Sequence, residues 1–238
     1  MSEQKAEDYT EPILPGQGAS DYERYLRTDE LLSLQKTPEE MTHRDELLFQ
    51  TVHQSSELWL KLASAEIEEA TELLRREELG AATRLLRRAG HCLQLITSQL
   101  HMLEHMSSWE YQEIRRVLGH GSGFDSPGFN RLREVAPVLG RAFGSLLQAR
   151  DLTIVALYQR GRELEELYLL AELLIELDER VTLWRVHHFK VVERVIGGEV
   201  IGTQGTPVEV LGNLIHRRLF PELWQARNEL TALSKQSD

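Results

Sequence analysis

The sequence predicts an all-α fold, a helical bundle of four to five long helices with short accessory helices. Three observations carry this expectation. Apolar residues recur at spacings of three and four along several long stretches, the period of one helix face. No stretch alternates with period two, and Val200-Ile201 is too short to matter. Prolines and glycines sit mostly between the periodic stretches, where helix ends call for them.

Residues 1–20 read as a flexible N-terminal arm, broken by Pro12, Pro15, Gly16 and Gly18. A short amphipathic piece, DYERYLRTDELLSLQ, follows with Tyr22, Tyr25, Leu26, Leu31, Leu32 and Leu34. Thr37-Pro38-Glu39-Glu40 offers an N-cap, a first-turn proline and acidic residues, and a long helix is expected from about Thr42 to Glu78. Its inward positions include Val52, Trp59, Ala63, Ile67, Ala70 and Leu74. Gly80 is expected to end it, before a second helix from about Ala81 to Met106. Ser107-Ser108 caps a third, WEYQEIRRVLG. Helix resumes from about Pro127 to Arg150, weakened at Pro137 and Gly140. Another helical stretch runs from about Asp151 to Ile196 with an interruption at Gly161. Pro207 and Pro221 open the last two helices. The expected organisation is one all-α domain over 21–230 with a C-terminal tail at 231–238.

Composition excludes several function classes. The 238 residues carry a formal net charge of −11, which repels phosphate backbones and anionic membranes, so neither nucleic acid nor a membrane is an expected partner. No apolar run is long enough for a transmembrane helix. The first residues are acidic and lack an apolar signal core. The single cysteine, Cys92, excludes an internal disulfide framework and suits a reducing compartment, so a cytoplasmic location is expected.

The chemistry-bearing residues interrupt the helical pattern. The seam Leu170, Leu174, Leu177, Val181, Trp184, His188, Val191 and Val195 shares one face of a helix, and His188 is its only polar member. An inward imidazole needs a partner, and a carbonyl, a carboxylate or a metal would each serve. His53 lies on a second inward stripe with Phe49, Ser56 and Leu60, as a core histidine or a ligand. Tyr111, Arg115 and Leu118 line one face of a short helix. They suit the carboxylate of an aromatic amino acid, or a solvated edge beside a core leucine. The segment GHGSGFDSPGF (119–129) is a glycine-rich loop that includes Ser122 and Gly123, either a functional loop or a compact connection. His101 and His105, in HMLEH, share a face at metal-ligand spacing but lack the order of a zinc hydrolase motif. A bundle with facing inward histidines is a natural cage for haem or a metal ion.

Several blocks taken together resemble the tryptophan 2,3-dioxygenase family. They are YERYLRTDELLSLQ, HRDELLFQTVHQSSELWLK, EYQEIRRVLGHGSGFDS, LWRVHHFKVVERVIG, GTQGT and FPELWQAR, in family order from about Tyr22 to Arg227. The resemblance implies haem b, ferrous for O2 binding and held between helices, with His188 as proximal iron ligand and Trp184, Ser122 and Gly123 on the cofactor side. It implies that His53 contacts the indole N–H and that Phe49, Tyr111, Leu118 and Ser122 line the substrate or haem side. Arg115 matches the position that pairs with the substrate carboxylate, and Thr203 the one that helps hold the substrate's polar end. Tyr22 and Tyr25 match tyrosines that reach a neighbouring subunit's pocket, so a homotetramer or homodimer is expected.

The sequence departs from the family at three places. GTQGTP replaces the usual GTGGSSG, Leu100 stands where a tryptophan is expected, and the region between about Arg131 and Leu183 is shorter. The implied activity is insertion of O2 across the indole C2–C3 bond of L-tryptophan or a close derivative. The altered loop and shortened middle motivate one alternative, a haem-dependent monooxygenase of a modified tryptophan or other aromatic amino acid in secondary metabolism; a non-catalytic haem-binding or sensing protein is a second.

Overall fold

The computed structural model describes residues 9–235, so the first eight residues of the expected arm and the last three of the expected tail lie outside the described residues. Among the described residues there are helices and turns and no strand, only an isolated bridge between Ile201 and Pro207. The all-α expectation holds.

Two short helices, α1 (Asp21–Leu26) and α2 (Thr28–Leu32), follow residues 9–20, which carry no regular element. Ser20 and Glu23 form a capping box at the start of α1. The Asp21 carboxylate accepts from the backbone N–H groups of Ile13 and Leu14, tying the preceding chain to the helix.

The long helix α3 spans Glu46–Arg75 and starts later than expected. Thr37–Glu40 closes on itself instead, the Glu40 N–H donating to the Thr37 carbonyl and the Thr37 N–H to the Glu40 carboxylate. Buried Glu46 accepts from the N–H groups of Thr42 and His43 and pairs with Lys36. Those N–H groups are satisfied ahead of the helix, so the helix begins at Glu46. Val52, Ala63, Ile67, Ala70 and Leu74 are buried as the spacing requires, whereas Trp59 is 37% exposed. Gly80 does not end this helix. Glu77 takes the left-handed conformation at φ 59°, and the Glu78 N–H returns to the Leu73 carbonyl at 2.9 Å. Gly80 lies in the first turn of α4 (Leu79–Ser98).

The helix expected to reach Met106 divides at Gln99, whose amide side chain bonds Ser55 and Ser56 of α3, and α5 (Leu100–Leu103) follows. Then come α6 (Tyr111–Val117), a 3-10 turn at Gly123–Asp125, and α7 (Pro127–Ala149). Ser126 caps α7, and Pro137 is exposed on a helix that runs on through it. The remaining elements are α8 (Ile154–Gln159), α9 (Glu165–Ile196), α10 (Glu209–Leu214) and α11 (Pro221–Ser234), the last extending into the expected tail.

The four long helices pack in the order α7, α3, α4, α9. Their apolar faces form one large cluster, including Leu60, Ile67, Leu93, Leu139, Leu174 and Val181. A smaller cluster of Val52, Leu100, Leu103, Met106, Ile114, Val191 and Val195 forms beside it. Trp184 packs against both. The functional seam of α9 thus crosses from one core to the other at Trp184.

Candidate functional site

At that crossing lies a cavity of about 580 Å³. This is the size range of small-molecule and cofactor sites. The α9 seam is buried at Leu170, Leu174, Leu177, Val181, Val191 and Val195 and opens only at Trp184 and His188, both of which line the cavity. Phe49 and His53 of α3, Tyr111 and Arg115 of α6, Leu118 and the loop residues Ser122, Gly123 and Thr203 complete the set. The structure therefore brings together ten of the twelve candidate site residues. Tyr22 and Tyr25 are apart from it, on α1, at 68% and 78% exposure.

Among the described residues nothing hydrogen bonds to the His188 ring. Burial, and then nearby His53, push its pKa down to about 4, so the imidazole is neutral at ordinary pH with a lone pair available. Its ring stacks on Trp184.

His53 receives a different fixing. Its Nδ1 lies 2.7 Å from the Phe49 carbonyl oxygen one turn back, and its ring stacks on the Phe49 ring at 4.0 Å. A carbonyl only accepts, so Nδ1 carries the proton and Nε2 remains an acceptor. His53 has open surface, yet that surface faces the cavity, and burial lowers its pKa. Burial also raises the Tyr111 phenol.

Two loops clasp one side of the cavity. Arg115 donates to the Ile201 carbonyl, Thr203 to the Gly121 carbonyl, and Gln204 to the Asp125 carboxylate. Within the second loop the Gly202 N–H reaches the Thr206 carbonyl at 2.8 Å, and Gly205 adopts φ 76°, a turn that favours glycine. A second, polar cavity of about 560 Å³ shares Arg115, Gly202 and Thr203 with the first, which places Arg115 between them.

Sequence reasoning missed the cationic side. Arg133, Arg185 and Arg217 line the same cavity from α7, α9 and the α10–α11 connection. Burial, partly offset by Asp178, and then the charges of Arg217, Arg133 and Arg218 lower the Arg185 pKa. Arg185 also donates to the Arg217 carbonyl at 2.6 Å. The available signal was Arg185, three residues before His188 on the same helix.

This donor set fits haem. A neutral, unpartnered imidazole suits an iron ligand. Leu103, Met106, Leu132, Phe129, Val191 and Val195 give apolar walls for a porphyrin, and clustered guanidinium groups suit its two carboxylates. The Trp184 Nε1 is buried without a partner, as in a wall built to face another group. Leu100, at the position expected to hold a tryptophan, is buried in the smaller core.

Comparison with known proteins agrees with the geometry. A family model described as tryptophan 2,3-dioxygenase matches residues 9–142. A protein named tryptophan 2,3-dioxygenase from Xanthomonas campestris pv. campestris (strain B100) is 33% identical, covering 90% of this chain and 89% of its own. One of the same name from Bacillus thuringiensis (strain Al Hakam) is 32% identical, covering 88% and 92%. With most of both chains aligned, the chain belongs to the tryptophan 2,3-dioxygenase family of haem-dependent oxygenases.

Proposed function

We propose that this protein is a haem-dependent dioxygenase that inserts both atoms of O2 across the indole C2–C3 bond of L-tryptophan or a close derivative, giving an N-formylkynurenine-type product. The observation that carries the proposal is the neutral, unpartnered His188 imidazole in a cavity that also holds His53 and Arg115. His188 would hold haem b by its iron, with Arg133, Arg185 and Arg217 taking the porphyrin carboxylates. Bound haem supplies the oxygen chemistry.

The protein's own contribution is binding, orientation and exclusion of water. Arg115 pairs with the substrate carboxylate through a guanidinium fork. Thr203 stands beside it on the clasped loop and assists at the polar end. His53 offers Nε2 as an acceptor for the indole N–H, because the Phe49 carbonyl occupies the Nδ1 proton. It orients the indole and need not remove its proton. Phe49, Tyr111 and Leu118 supply apolar contact around the ring, with Ser122 and Gly123 in the adjoining loop. Tyr22 and Tyr25 supply a neighbouring subunit's pocket in a homotetramer or homodimer, in line with their exposure in the single chain.

A second reading, a monooxygenase of a modified tryptophan, is favoured by one feature. Gln204 stands in the loop where the family pattern has glycine, and its amide pairs with Asp125 across the clasp, both residues lining the cavity. Aerobic incubation of the reduced haem protein with L-tryptophan and a panel of its derivatives, read by product mass, tests both. A gain of two oxygen atoms with ring opening is expected. A gain of one with the ring intact selects the second reading. A haem absorption band without turnover rejects both in favour of a binding or sensing role.

A further inference from the structure

Three side chains converge outside the cavity. His101 belongs to α5, Glu104 to the turn that follows, and His187 to α9 beside His188. Glu104 Oε1 lies 2.7 Å from His187 Nε2 and 3.2 Å from His101 Nδ1. The two imidazoles meet edge to face with centroids 4.4 Å apart. One ligand atom from each residue lies within 4.8 Å of the others. The sequence spacing paired His101 with His105; the fold replaces His105, which is exposed, with His187 from a helix far along the chain.

The geometry points to a binding site for a divalent first-row transition metal, best matched by zinc, at His101, Glu104 and His187. Bonds of about 2.0–2.2 Å from one ion to two ligands put those ligand atoms roughly 3.0–3.5 Å apart. The separations from Glu104, 2.7 and 3.2 Å, fall just short of that span and within it, so an ion needs only a small outward shift of the side chains. Two imidazoles and a carboxylate suit zinc and its neighbours and not calcium or magnesium, which prefer oxygen ligands throughout. The side chains are 65%, 28% and 21% exposed for His101, Glu104 and His187, so an ion has access and retains water in its open positions. Without an ion, the two ring N–H groups share the single Glu104 oxygen, which holds the carboxylate in place for a cation. Leu103 and Met106, on either side of Glu104 in sequence, line the cavity. A bound ion therefore braces that wall against α9 next to His188.

Titration of the full-length protein, as purified and stripped by chelator, with Co²⁺ tests the site. One equivalent is expected to produce d–d absorption bands that Zn²⁺ abolishes by displacement. His101→Ala and Glu104→Gln should each weaken Co²⁺ binding by roughly tenfold or more, while His105→Ala leaves it unchanged. Circular dichroism of the His101→Ala variant, whose side chain is exposed, checks that the fold persists. Absence of the bands, uptake insensitive to His101→Ala and Glu104→Gln, or equal weakening by His105→Ala would each overturn the assignment.

Discussion

The indole of Trp184 lies parallel to the imidazole of His188, with ring centroids 4.7 Å apart and planes 10° from each other. Phe129 packs on Trp184 with a centroid distance of 4.0 Å. One helical turn therefore sets the His188 ring plane, and α7 supports that turn from outside. Aromatic stacking of this kind contributes about 0.5–1.5 kcal/mol beyond area burial. Trp184→Leu should weaken haem retention by roughly 2- to 13-fold on the same basis, measured by transfer of haem to an apo-acceptor. His188→Ala should remove stoichiometric haem altogether, and full retention would reject the ligand assignment.

Arg115 bridges the two cavities and also holds the Ile201 carbonyl. If it pairs with a buried substrate carboxylate, Arg115→Ala should weaken amino-acid substrates by about 2–5 kcal/mol. The corresponding decarboxylated amine should be far less affected, since it offers no carboxylate to lose. Equal losses for the two ligands would assign Arg115 to loop closure alone.

At Gly128, α7 packs directly on α3. A Cβ there would lie 2.6 Å from Leu60 Cβ and 2.7 Å from Glu57 Oε2. Glu57 also accepts from the Gly128 N–H at 2.8 Å and from the Ser126 hydroxyl, so it anchors the glycine-rich loop to α3. Gly128→Ala should destabilise the fold by about 1–3 kcal/mol through overpacking, read by denaturant unfolding. An unchanged midpoint would show that the two helices can separate without loss.

Glu46 provides the pH dependence. Burial pushes its carboxyl pKa up, but the Lys36 ammonium and the N–H groups of Thr42 and His43 outweigh burial and leave it below its ordinary value of 4.5. The unfolded chain then binds the proton more readily, so this contribution is complete above pH 4.5 and is lost as pH falls through the lowered folded value. Glu46→Gln should lower stability at neutral pH and flatten the acid limb of the unfolding profile. An acid limb of unchanged slope would show that Glu46 titrates alike in both states.

The helices were legible because each long one buries a face with a regular period. Their boundaries were less so. Thr37-Pro38 has the residues of a helix start, but the Glu46 carboxylate takes the N–H groups ahead of α3, and Glu77 adopts the left-handed conformation usually left to glycine. His188 was legible as the polar interruption of an apolar seam, and Arg115 through its helical spacing with Tyr111. Arg133, Arg185 and Arg217 were not, because each looks like an ordinary charged residue on a helix or connection until three distant segments meet. His187 was hidden in the same way, as the apparently redundant neighbour of His188.

The crossing of the two cores at Trp184 couples cofactor occupancy to order. Two members of the large cluster, Leu132 and Val181, border the cavity, against four of the seven in the smaller one, Leu103, Met106, Val191 and Val195. Haem would serve that end of the molecule as interior packing as well as chemistry. The haem-free protein should then keep most of its helical signal on gentle heating while amides in α5, α6 and the clasped loops exchange early, so that maturation of the enzyme resembles the last step of folding.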